Sequence, residues 1–388
     1  MESPLRLLGG ISAEQFLRDY WQKKPLLIRR AIADFISPIS ADELAGLALE
    51  EEIESRLIQQ SQNGALHLQH GPFSEEQLQR LPKTHWTLLV QAVDQFVPEV
   101  AALLEYFPFL PRWRMDDVMA SLAAPGGSVG AHFDQYDVFL LQGAGQKRWQ
   151  IGQKCDENSQ LLPHPDLKLL AEMQVTDEWL LAPGDMLYLP PQIAHHGISE
   201  GEAFSITYSI GFRAPGEAEV IAHFADFFAQ SLPEHARYSD ADALPCTDYS
   251  QIGADVLPRL KAILAPLLQD DKRLLQWFGQ FMTEPRYPER LFAADCDEKS
   301  LIKRLKNGEP LLHSPSARLA WAQTADGLLL FASGRSRHLP KRLQPLLMLI
   351  CQSPALSAAA LAAWLIDNEA QQLLVALIEQ GSLEFADE

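Results

Sequence analysis

The sequence predicts an α+β chain organised around a closed antiparallel β-structure, and three observations predict it. Between about residues 113 and 212, short apolar runs (118–123, 138–141, 148–151, 178–181, 186–189 and 204–211) alternate with Gly, Pro and Asn turns, the texture of an all-β barrel or sandwich. Ahead of it, residues 1–115 mix capped helices with short strands, an α/β lead-in. Behind it, apolar residues recur at helical spacing. The expected divisions are 1–214, 215–290 and 291–388, with the barrel core at 113–212.

The lead-in is read from its punctuation. Ser12-Ala-Glu-Gln15 has the form of a capping box, followed by Phe16, Leu17, Tyr20 and Trp21 at helical spacing, and Pro25 stops that helix. Residues 26–28 read as a short strand, and Ser40-Ala-Asp-Glu43 opens a second helix. Residues 54–58 and 65–68 flank Asn63-Gly64, a hairpin turn signal. Ser74 starts another helix, 86–93 is apolar enough for a buried strand, and 98–106 reads as a helix with Pro98 in its first turn. Within the barrel, 158–171 is an irregular or helical insertion.

Residues 220–232, 256–268 and 273–282 are expected to form three helices, apolar beyond what so small a unit can bury itself. That points to a homodimer interface within 215–290. The last segment has helices at 299–305, 344–351, 357–365 and 368–378. Strands are expected at 319–322 and 328–331 around Asp326-Gly327, and at 382–385 after Gly381, which is winged-helix order. The two candidate recognition helices contain no Lys or Arg, so specific DNA binding is not expected. Arg335, Arg337, His338, Lys341 and Arg342 form a basic run that reads as a solvated face.

The 388-residue chain is 47% hydrophobic and 21% charged, ample for a sizeable core. Its formal charge of −19 argues against general affinity for nucleic acid or anionic membrane and favours a basic partner. Residues 298–388 balance nine Lys/Arg against nine Asp/Glu, so the excess falls on residues 1–297. Cys155, Cys246, Cys296 and Cys351 form no CxxC pair, which argues against a zinc knuckle or a disulfide framework. No signal peptide or membrane span is read, and a cytoplasmic location is expected.

The chemistry centres on His132-Phe133-Asp134. Read as strand, the triplet offers an imidazole and a carboxylate on one face, because residues i and i+2 point the same way. A later histidine, from Pro190-Pro191-Gln192-Ile193-Ala194-His195-His196, would complete a two-His-one-carboxylate set, the ligand type of mononuclear Fe(II) oxygenases. His195 and His196 are adjacent, so only one faces the metal. A 2-oxoglutarate enzyme also needs a buried cation for the distal carboxylate and a donor beside it; Lys147 and Ser121 can supply these. Tyr136 shares the face of Asp134 and, with Ser209, is a candidate for substrate contact, while Asp137 points the other way. His164 in HPDL reads as structural.

These features resemble the cupin-type JmjC oxygenases. WQKKPLLIRR, DELAGLA, HGPF, WTLLVQAV, HFDQYDVFLLQGAGQKRW, HPDL, LAPGDMLYLPP and YSIGFRAP together resemble the bacterial ribosomal oxygenases over essentially the whole chain. That family consists of 2-oxoglutarate- and Fe(II)-dependent hydroxylases of an arginine (C3) in a large-subunit ribosomal protein. The resemblance implies a double-stranded β-helix (cupin/JmjC) barrel, a helical dimerisation unit and a winged-helix tail. It implies His132, Asp134 and His195 as iron ligands, and Lys147 with Ser121 for the 2-oxoglutarate distal carboxylate, with dioxygen as second cosubstrate. The resembling pattern also admits Arg at position 147, where Lys offers a point charge instead of a fork. The alternatives are a JmjC-type oxygenase acting on another basic protein, as histidine hydroxylase or demethylase, and a non-enzymatic cupin/winged-helix regulator.

Overall fold

Hydroxyl caps set the first helices of the chain. The computed structural model describes residues 5–245 and 247–386; Cys246, one of the four cysteines weighed above, lies outside the described residues. Ser12 Oγ accepts from the Gln15 amide at 3.1 Å and opens α1 (Ala13–Asp19), which buries Phe16. After β1 (Leu26–Ile28), Ser40 and Glu43 cap each other's amides at the start of α2 (Ala41–Leu47). β2 (Ser55–Gln60) and β3 (Leu66–His70) pair antiparallel across the Asn63-Gly64 turn. Ser74 and Gln77 cap α3 (Glu75–Gln79), and β4 (Trp86–Val90) follows. The helix expected over 98–106 is α only in α4 (Pro98–Ala101). It continues as a tighter 3-10 winding over Ala102–Tyr106 that buries Leu103, while α4 buries Val100.

Seven strands then build the barrel: β5 (Met115–Ala123), β6 (Asp137–Ala144), β7 (Gln146–Lys154), β8 (Asp177–Leu181), β9 (Met186–Leu189), β10 (Ile193–Glu200) and β11 (Ser205–Phe212). They lie in two antiparallel sheets, ordered β1-β9-β6-β11-β5-β4-β2-β3 and β10-β7-β8. The lead-in is therefore part of the barrel's larger sheet. β4 pairs with β5, and β1 pairs with β9, covering edges that would otherwise be open.

Period-2 alternation explains the unbroken apolar runs in β6 and β9. Val138, Leu140, Leu187 and Leu189 face the smaller sheet, where Trp149, Ile151 and Leu181 meet them. Phe139, Leu141, Met186 and Tyr188 face the other way and pack with Phe16, Leu44 and Phe107 of the helical layer. Both faces are buried, so the strands lack polar alternation.

Two points differ from expectation here. His132–Asp134 is not a strand: His132 makes one isolated bridge, to His195, and the ladder ends where Gln192 N takes the Asp134 carbonyl at 2.7 Å. β10 went unforeseen because Ile193-Ala194-His195-His196-Gly197 has neither an apolar run nor clean alternation. The 158–171 insertion takes the irregular of its two expected forms, held by a bridge between Leu161 and Leu170.

A second unit spans Pro215–Glu388. It begins with α5 (Glu217–Ala229), α6 (Val256–Gln269) and α7 (Asp271–Thr283). Trp277 of α7 donates to His223 of α5 at 3.0 Å, while α6 buries none of its residues. Next come α8 (Glu298–Lys306), β12 (Leu311–His313), β13 (Leu319–Gln323), β14 (Leu328–Ala332) and β15 (Arg335–Leu339). The unit closes with α9 (Gln344–Gln352), β16 (Ala355–Leu356), α10 (Ala358–Leu361), α11 (Asn368–Glu379) and β17 (Leu383–Phe385). α10 stops four residues earlier than expected, where Ala362 N and Trp364 N bond carbonyls only three residues back, the spacing of a tighter turn. The basic run forms β15, with Arg335, Arg337 and His338 exposed, and Arg342 pairs with Asp367 and Glu369. Among the described residues, no helix is long and apolar enough to cross a membrane.

Candidate metal and cosubstrate site

The barrel brings His132, Asp134 and His195 together, with one potential ligand atom from each lying within 4.8 Å of the others. The polypeptide itself sets their spacing. His132 N donates to the His195 carbonyl at 3.0 Å, and His195 N donates to the His132 carbonyl at 2.8 Å. Asp134 Oδ2 stands 3.6 Å from His195 Nε2, and the two imidazole centroids are 4.2 Å apart.

The rings are oriented by their second nitrogens. His132 Nδ1 lies 3.0 Å from the Gly130 carbonyl, and His195 Nδ1 lies 2.9 Å from the Ile193 carbonyl. A carbonyl only accepts, so each Nδ1 carries a proton and each Nε2 is the nitrogen left to face an ion. Burial, aided by His132, pushes the His195 pKa down to about 4, so this ring is neutral at pH 7. His196 points elsewhere and lines a neighbouring cavity with His85 and His164.

The cavity beside the three ligand-type residues measures about 290 Å³. Ser121, Lys147, Tyr136 and Ser209 all line it. Lys147 is 5% exposed, and its Nζ donates to Ser121 Oγ at 3.5 Å and sits 5.1 Å from the Trp149 ring. Desolvation alone lowers its pKa to about 8, and among the described residues no carboxylate forms an ion pair with it. Lys147, Trp149 and Ile151 share the buried face of β7. Gly197 on β10 makes room for them: a Cβ there would stand 2.7 Å from Trp149 Cζ3 and 3.0 Å from Lys147 Cε.

These residues fit a divalent ion and a dicarboxylate on structural grounds. Two imidazoles and one carboxylate suit ferrous iron and leave coordination positions open. A buried ammonium without a counter-charge is costly and suits a carboxylate brought by a ligand. The buried Trp149 Nε1–H, also without a protein acceptor, adds an unused donor at the same cavity wall.

Tyr136 is 42% exposed and marks the open side of the cavity. Asp137 faces away, accepting from Tyr188 Oη at 2.6 Å and from Gln22 Nε2 at 3.0 Å. Sequence reasoning missed Arg56, Met119, Trp149, Thr207 and the segment Asp166-Leu167-Lys168-Leu169, all of which line the cavity. The i+2 parity with Lys147 was a signal for Trp149. Arg56 had none, because it reaches the site only through the pairing of β2 with β4 and of β4 with β5.

Residues 102–220 match the JmjC domain family, and residues 266–384 match the ROXA-like winged helix. The chain is 37% identical to Ribosomal protein uL16 3-hydroxylase of Escherichia coli, over 94% of this chain and 95% of that one. It belongs to the ribosomal oxygenase family. Another similar ribosomal oxygenase is the Probable ribosomal oxygenase of Haemophilus influenzae, 38% identical over 58% of this chain and 55% of that one. The fold agrees throughout: the X-ray structure of E. coli YcfD superposes with a TM-score of 0.86 at 36% identity, covering 97% of this chain and 98% of that one. A second structure of that ribosomal oxygenase, in complex with cobalt and 2-oxoglutarate, gives a TM-score of 0.84 at 34% identity, over 97% of this chain and 99% of that one. Like these relatives, the present ribosomal oxygenase is an enzyme built on a JmjC barrel, followed by a winged helix.

Proposed function

We propose that this ribosomal oxygenase uses Fe(II), 2-oxoglutarate and dioxygen to hydroxylate an arginine side chain at C3 in a large-subunit ribosomal protein. One observation carries the reading: a buried, counter-charge-free ammonium, Lys147, lines the same cavity as a converging His-Asp-His set. The substrate class rests on the name of the E. coli relative, a uL16 3-hydroxylase, and on the resemblance drawn from the sequence. The acidity of residues 1–297 suits a basic target.

His132, Asp134 and His195 hold the iron. The Nδ1–H groups of the two histidines are already engaged by carbonyls, so neither ring has to turn to present its Nε2. The Asp134 carboxylate offsets one of the two positive charges. Bound iron, with 2-oxoglutarate and dioxygen, supplies the oxidising power needed at an unactivated carbon. Lys147 and Ser121 receive the distal carboxylate, and that pairing keeps the ammonium charged. Trp149 walls the carboxylate from water, which strengthens the ion pair. Tyr136 and Ser209 line the approach and contact the side chain to be modified.

A second copy of this chain covers α6. Leu257, Leu260, Ile263, Leu264 and Leu268 lie exposed on a helix with no buried residue of its own, and a symmetric dimer through 215–290 would bury them. Its cytoplasmic location follows from its ribosomal target.

The test is mass spectrometry of candidate ribosomal proteins after incubation with the enzyme, Fe(II) and 2-oxoglutarate. One added oxygen on an arginine is expected. It is expected to vanish in His132→Ala and Asp134→Ala, with circular dichroism unchanged. Full turnover by either variant would remove these residues from the site.

A further inference from the structure

We propose that His164 is a positioning residue for the protein substrate, acting through the strap 156–171 that joins β7 to β8. The inference rests on the functional reading above and deepens it. Asp166, Leu167, Lys168 and Leu169 of the strap line the catalytic cavity. Asp166 and Lys168 are exposed and Leu167 half-buried, whereas Ser121, Lys147 and Trp149 in the same cavity are buried. The strap is therefore the solvent side of the site, the side from which a protein side chain has to enter.

His164 fixes that side at two levels. Its Nδ1 accepts from the Asp166 and Leu167 amides at 3.1 and 2.9 Å, which shapes the turn. Two donors at Nδ1 require an unprotonated nitrogen, so Nε2 carries the hydrogen and donates it to the Leu66 carbonyl on β3 at 3.1 Å. Both nitrogens are thus used, and the ring is a clamp between strap and hairpin instead of a metal ligand.

The clamp leads directly to the metal ligands. Leu170 N donates to the Ala131 carbonyl at 2.8 Å, one residue before His132. Leu66 and Leu169 close over Gly130, where a Cβ would stand 2.9 Å from Leu66 Cδ1 and 2.6 Å from Leu169 Cδ2. Gly130 has φ +86° and its carbonyl orients His132. The Leu66 tether therefore sets where the cavity's outer wall stands relative to the iron ligands.

Two variants separate the levels. His164→Asn keeps an oxygen able to accept from the amides two and three residues on, but cannot reach Leu66. His164→Ala loses both. In the full-length enzyme, His164→Asn is expected to raise KM for the ribosomal protein about fivefold, the equivalent of one hydrogen bond, and His164→Ala more. At saturating substrate, kcat stays within about twofold and KM for 2-oxoglutarate is unchanged. A KM for the protein equal to wild type in both variants, with only the melting temperature lowered, overturns the inference. So does a rise in KM for 2-oxoglutarate in step with that for the protein. Wild type run alongside separates the failures: if it oxidises no ribosomal protein, the functional reading falls and takes this inference with it.

Discussion

Lysine is rarely buried without a counter-charge, and Lys147 shows what such a side chain is kept for. If Lys147 receives the distal carboxylate as proposed, replacing it with Met leaves that carboxylate unpaired in a desolvated site, a loss of about 2–5 kcal/mol. KM for 2-oxoglutarate is expected to rise by roughly 100-fold or more, with Lys147→Arg recovering most of it; initial rates against 2-oxoglutarate check both. The same side chain gives a pH dependence with a definite sign. Its pKa in the free protein is depressed to about 8, so the ammonium is present below that pH and lost above it. Binding a carboxylate requires the charged form. KM for 2-oxoglutarate should therefore be flat up to about pH 8 and then climb about tenfold per pH unit, an onset well below that of a lysine with its ordinary pKa. A KM that stays flat to pH 9.5 would show that Lys147 is not the carboxylate's partner.

Elements differ in how much of themselves they announce. Capped helices such as α2 and α3 and the β2–β3 hairpin are written locally, in Ser40/Glu43, Ser74/Gln77 and Asn63-Gly64, and they form where those residues stand. His132, Asp134 and Lys147 were legible because the chain keeps them close to turns and runs with clear signatures. Arg56 and the 166–169 strap were not, because long-range pairing and a side-chain clamp deliver them to the cavity. β10 was hidden by its own function: a strand that must turn His195 inward, His196 outward and leave Gly197 bare for Trp149 cannot also carry an apolar repeat. α6 shows the opposite case, a helix whose apolar stripe is plain in the sequence and unmatched within its own unit. If a second copy covers that stripe, Leu260→Glu with Leu264→Glu should convert dimer to monomer in sedimentation velocity while circular dichroism stays the same. A wild-type monomer at micromolar concentration would argue against the interface.

At the level of the whole molecule, charge is divided along the chain. The excess of −19 lies in residues 1–297, while residues 298–388 are balanced. An acidic catalytic region attracts a basic protein over distances at which salt screens. KM for the ribosomal protein is therefore expected to rise several-fold between about 0.05 and 0.3 M salt, with KM for 2-oxoglutarate changing far less, because its ion pair is buried. Equal salt sensitivity of the two would count against steering. His132 and His195 are fastened to each other by two main-chain bonds, so their separation does not depend on an ion being present. Removing the ion therefore leaves the pair fastened as before, ready to take up a replacement.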